Sequence, residues 1–91
     1  MSVSSLDPTT VAVLEYFLKN REGDYVSSVS AALGINQRIV STTLRNFEKR
    51  EFFSHEWDEA EIRGKSGYRK RYVVKPEKID AIIGLIKYLK S

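Results

Sequence analysis

The sequence predicts an α+β domain, with three short helices, a two-stranded β-hairpin and a last helix. Three observations predict it. Apolar residues recur at helical spacing in three stretches before residue 50. The period changes to two in the aromatic run Phe52-Phe53-Ser54-His55-Glu56-Trp57, and again in Tyr68-Arg69-Lys70-Arg71-Tyr72-Val73-Val74. Helical spacing then returns after Lys75-Pro76.

The first helix is expected from about Pro8 to Asn20. Asp7 is placed to cap it, Pro8 suits its first turn, and Val11, Leu14, Phe17 and Leu18 form its apolar stripe. Residues 1–6 are expected to be loose. Asn20-Arg21-Glu22-Gly23-Asp24 breaks the helix, and Tyr25-Val26 reads as a two-residue β-like stub. Ser27 or Ser28 is the expected cap of a second helix over 28–33, with Val29, Ala32 and Leu33 apolar and a small Ser30 where another helix crosses.

The stretch from Leu33 to Arg50 reads as the turn and second helix of a helix-turn-helix. Gly34 suits the left-handed position after a helix, Ile35 fills the angle between helices, and Asn36 is a good N-cap. Val40, Leu44 and Phe47 then mark one buried face of a helix from Gln37 to about Arg50. The other face carries Gln37, Arg38, Ser41, Thr42 and Arg45, side chains of the kinds that reach base edges and phosphates. An ordinary amphipathic surface helix has the same spacing, so the hairpin after it carries weight in the choice between the two.

In the hairpin, Phe53, His55 and Trp57 are expected on one face, and Tyr72 and Val74 face the core. Residues 58–67 read as a long polar loop between the strands. The first half of the hairpin is acidic (Glu56, Asp58, Glu59, Glu61), whereas Arg63, Lys65, Arg69, Lys70 and Arg71 make the second half basic. His55 reads as a strand residue beside aromatics, and Trp57 and the tyrosines are expected to pack. Over the last helix, about 76–90, Ile79, Ile82, Ile83, Ile86 and Leu89 form a stripe that Ala81, Leu85 and Tyr88 widen. That is more apolar surface than a terminal helix needs, so this helix is the expected dimerisation element. Gly84 is expected to mark close helix–helix approach.

Composition bounds the chemistry. Ninety-one residues make one domain, 1–91, with a modest core. Zero cysteines rule out disulfides and thiolate metal sites, and a single histidine argues against zinc. No metal or cofactor is expected. Neither a nucleophile–base set nor a phosphate-binding glycine loop is visible, so an enzyme is not expected. The net charge of +3 is mild, which makes the clustering of charge more informative than its total. With no apolar run of membrane-spanning length and no secretory leader at Met1-Ser2-Val3-Ser4-Ser5, a soluble, cytoplasmic protein is expected.

The order of elements is that of a winged helix-turn-helix, with a three-helix core, a hairpin wing and a C-terminal helix. Through Val29-Ser30-Ala31-Ala32-Leu33-Gly34-Ile35-Asn36, then Val40, Leu44 and Phe47, and the wing strand Gly67-Tyr68-Arg69-Lys70-Arg71-Tyr72-Val73-Val74, the chain resembles the MarR and PadR-like transcriptional regulators. The likeness covers about residues 8–90 in layout, and its motifs specify the superfamily better than the subfamily. Small stand-alone winged-helix proteins of archaeal viruses and plasmids are similar too. Two departures stand out: Glu51 occupies a position where many relatives have glycine, so a differently shaped helix end is expected, and the first half of the wing is acidic.

The resemblance implies a homodimeric regulator that binds double-stranded DNA sequence-specifically. Asn36, Gln37, Arg38, Ser41, Thr42 and Arg45 would serve the major groove. Arg63, Lys65, Ser66, Arg69, Lys70 and Arg71 would serve the backbone or minor groove. Ile79, Ile82, Ile83, Ile86 and Leu89 would serve the dimer interface. Two alternatives stay open: a protein-binding module built on the same fold, and a basic hairpin that merely balances its acidic neighbour.

Overall fold

The computed structural model describes residues 8–90; the expected Asp7 cap and the loose segment 1–6 lie outside them. The chain runs α1 (Pro8–Lys19), β1 (Asp24–Tyr25), α2 (Val26–Leu33), α3 (Gln37–Lys49), β2 (Phe53–Ile62), β3 (Lys65–Val74), a 3-10 turn (Pro76–Lys78) and α4 (Ile79–Lys90). The class is α+β, with four helices and a three-stranded antiparallel sheet of order β1-β3-β2. Among the described residues no helix is long and apolar enough to cross a membrane.

The helices form where the apolar spacing places them, and their buried faces meet in one core. Val11, Val13, Leu14 and Phe17 of α1 pack with Val29 of α2, and with Val40, Leu44 and Phe47 of α3. The sheet adds Phe53, Tyr72 and Val74. Phe17 meets Phe53 edge-on at 5.2 Å between ring centroids, which adds directional aromatic contact to plain burial. No polar side chain is fully buried among the described residues, so this core carries no desolvated charge.

Several expectations change. The stub is a true strand: Asp24 pairs with Tyr72 and Tyr25 with Arg71, which makes the sheet three-stranded. Gly23 permits this approach, because at φ +96° an added Cβ would lie 2.4 Å from the Tyr72 carbonyl oxygen. The second helix starts at Val26, directly from that strand, and neither Ser27 nor Ser28 caps it.

The long loop over 58–67 is absent. The strands pair in unbroken register from Phe53↔Val74 to Ile62↔Lys65, leaving only Arg63-Gly64 as the turn. Both turn residues have positive φ (55° and 79°), the primed geometry that matches strand twist. The outer part of this hairpin buries neither face, so its sequence has no apolar alternation to reveal it. The hairpin gives the molecule its length of 47 Å, and β2 is its outermost strand.

The C-terminal helix also differs. Ile82 and Ile86 are buried in the chain's own core, and Ile79, Leu85 and Leu89 pack against that core. These residues cover α1, to which Lys90 adds an ion pair with Glu15 at 2.7 Å. Ile82 and Ile86 therefore leave the expected dimer interface, while Ile83 and Tyr88 stay exposed. Gly84 has nothing within 4 Å of an added Cβ, so no helix approaches it within the chain.

Glu51 does not reshape the end of α3. At φ 70° it takes the left-handed conformation itself, its N–H bonds the Glu48 carbonyl, and the Phe52 N–H bonds the Phe47 carbonyl. That is the usual double-bonded helix ending, completed by the ring contact of Phe47 with Phe52. A salt bridge from Lys75 at 2.8 Å holds the Glu51 carboxylate and lowers its pKa.

Candidate nucleic-acid interface

The turn between α2 and α3 is built from local hydrogen bonds. Gly34 is left-handed at φ 68°. The Ser30 carbonyl accepts from both Gly34 and Ile35, and the Ser30 hydroxyl donates back to the Ile35 carbonyl. Thus Ser30 closes the turn as well as being small. The Asn36 side chain accepts from the Arg38 N–H at 2.7 Å, so this residue is the cap it was expected to be.

With α3 fixed at its start, burial of Val40, Leu44 and Phe47 turns a polar face outward. Arg38, Thr42, Arg45 and Lys49 follow one another at spacings of four, three and four, so they make one exposed ridge. Gln37 and Ser41 flank it. Arg38 and Arg45 belong to no ion pair among the described residues.

Beside this ridge lies a cleft of about 310 Å³ between α3, the start of α2 and β3. It brings together Arg45, Arg69 and Lys70 with the hydroxyls of Ser27 and Ser41. Arg69 stacks 3.9 Å over the Tyr25 ring and donates to Ser27 Oγ at 2.8 Å, which fixes its guanidinium. Lys70 lies 4.8 Å over the Tyr72 ring, and 3.9 Å from Glu48 of α3. The first turn of α2, which begins at this surface, has no side-chain cap from its N-cap residue Tyr25. Three cations, two hydroxyls and a helix start therefore share one surface.

The other predicted wing residues are divided. Arg63, Lys65 and Ser66 lie at the exposed far turn. Arg71 is already occupied: it pairs with Asp58 at 2.7 Å and Glu56 at 2.8 Å, and also donates to the Glu22 carbonyl. Tyr25 donates to the same Asp58 at 2.7 Å. This cluster ties the root of the hairpin to the segment before β1. The hydrogen bond from Arg71, then that from Tyr25, hold the Asp58 carboxyl below its ordinary pKa. The Asp58 contact in turn raises both Arg71 and Tyr25.

Two aromatic side chains of the hairpin expected to pack do not, and Tyr88 of α4 is exposed as well. Trp57 is 60% and Tyr68 62% exposed. Nothing in the sequence separates them from Tyr72, which is buried at the inner end of the same hairpin, except distance from the core. Among the described residues, no group of three or more His, Cys, Asp or Glu side chains could hold a metal ion.

No protein-family model matches this chain, and no curated protein matches it.

Proposed function

We propose that this protein is a winged helix-turn-helix regulator that binds double-stranded DNA sequence-specifically, as its resemblance to MarR and PadR-like regulators implies. The observation that carries this reading is the exposed α3 ridge standing beside the cationic cleft, with a hairpin projecting past both. An α-helix fits the major groove, and Gln37, Arg38, Ser41, Thr42 and Arg45 are the base-reading set in this reading. Arg69 and Lys70 hold phosphates in the cleft, and Arg63, Lys65 and Ser66 serve the backbone or minor groove at the tip. Arg71 acts instead by bracing the wing.

The protein acts as a homodimer in this reading, with two α3 helices about 34 Å apart on a pseudo-palindromic site. Support for a partner chain is a groove of about 590 Å³ beside α4, lined by Phe47, Phe52, Leu85 and Leu89 with Thr10, Thr43, Asn46 and Arg50. The same groove favours the second reading, a protein-binding module of this fold. Fluorescence anisotropy with a labelled duplex at about 50 and 200 mM salt separates the two. Counterion release predicts an affinity loss of about a hundredfold or more when several phosphates are neutralised. No binding at low salt refutes the DNA reading.

A further inference from the structure

We propose that Trp57 and Tyr68 form a stacking site for an unpaired base of single-stranded DNA, reached from the cationic cleft. The inference rests on the DNA-binding reading of this protein.

Both residues lie on the α3 side of the hairpin, the face that buries Phe53, Tyr72 and Val74 nearer the core. In the strand register Trp57 is opposite Lys70, and Tyr68 is opposite Glu59, so the two aromatics are diagonal neighbours. Diagonal side chains in such a pair start roughly 7–8 Å apart. That is about twice the 3.5 Å contact distance of stacked carbon atoms, room for one planar base at the pair.

The site is preorganised. His55 meets Trp57 edge-on at 5.8 Å, and the Nδ1 of His55 is hydrogen-bonded to the Glu48 carboxylate of α3. Trp57 thus rests against a ring that is itself tied to α3, while leaving most of its surface to solvent.

Charge around the pair selects the ligand and limits its length. On the inner side stand Lys70 and, across the cleft, Arg45, positioned for the phosphate of the stacked nucleotide. Glu59, directly opposite Tyr68, and Glu61, opposite Ser66, put carboxylates on the side of the pair away from the cleft, so the phosphate of a stacked nucleotide lies on the cleft side. A strand therefore enters from the cleft, lays one or two bases on the aromatic pair, and turns away.

The test uses the whole chain, oligo-dT as probe, and the emission of Trp57, the only tryptophan. Labelled oligo-dT and a labelled duplex are titrated in parallel by anisotropy, which also reads the variants that lack the tryptophan. Oligo-dT is expected to quench Trp57. Trp57→Ala and Tyr68→Ala are each expected to weaken oligo-dT binding about tenfold or more, with circular dichroism unchanged and duplex affinity within twofold. Trp57→Phe is expected to keep most of the binding. Extending the oligomer from about 4 to about 16 nucleotides is expected to add little. If duplex binds but oligo-dT leaves Trp57 unmoved, or the alanine variants bind oligo-dT as well as the parent, this proposal fails alone. If neither form of DNA binds, the DNA reading fails and takes this proposal with it.

Discussion

Gly23→Ala tests how the hairpin is anchored. The new Cβ would meet the Tyr72 carbonyl oxygen at 2.4 Å and Val73 Cγ2 at 2.8 Å, at φ +96°. The backbone conformation alone costs an alanine about 1–2 kcal/mol. Relieving the overlap requires β1 and β3 to separate, a further 1–3 kcal/mol or so by analogy with overpacked cores. The total is at least about 2 kcal/mol, a large share of the stability of a domain this small. For a chain of this length that lowers Tm by at least about 8–16 °C. Thermal and urea unfolding followed by far-UV circular dichroism read the loss. The internal control is Gly84→Ala, mid-helix and open, expected to stabilise by roughly 0.5–1 kcal/mol. A Gly23→Ala loss below about 1 kcal/mol, or the same sign at both glycines, refutes the assigned pairing of β1 with β3.

Three further outcomes are expected. Arg38→Ala with Arg45→Ala should erase preference for a selected duplex over a random one, at about 1–3 kcal/mol per bidentate contact, with Tm unchanged; preserved specificity in a competition assay counts against α3 as the reader. Because Asp58 has a folded pKa below its unfolded value, its contribution is present above about pH 4 and fades as the pH falls through the folded pKa. Asp58→Asn should therefore lower stability at neutral pH and flatten the acid limb of a pH–stability curve; an unchanged acid limb removes Asp58 from the wing-root cluster. Glu51→Gly relieves a left-handed side chain at the loss of an exposed pair with Lys75, so the urea midpoint should rise; a lower midpoint would show that the Lys75 contact outweighs the conformational strain.

Elements were legible in the sequence where physics leaves local marks. The α2–α3 turn was readable because Gly34 and Asn36 answer local backbone needs, a left-handed φ and an unsatisfied N–H, that do not depend on the rest of the fold. The stripe of α3 was readable because it has a polar opposite face. In α4 the apolar residues wrap too far round for spacing to say which are covered, so Ile82 and Ile86 looked available when they are core. The length of the hairpin was hidden for the opposite reason: its outer half has two wet faces and no hydrophobic alternation. Arg71 looked like a free cation because Asp58 and Glu56, its partners, are brought to it only by that unrecognised register. Glu51 shows that glycine at a helix end is a preference, and a tertiary ion pair accompanies its replacement here.

The outermost position of β2 has a consequence for solution behaviour. A ten-residue strand with one flank of backbone groups unclaimed is a template on which another chain can grow. Glu59 and Glu61, which belong to no ion pair among the described residues, lie along its outer half, so two copies aligned edge to edge set like charges side by side. These carboxylates thus oppose growth of a fibre from the exposed edge. Glu59→Gln with Glu61→Gln should therefore leave this protein more prone to assemble through its hairpin.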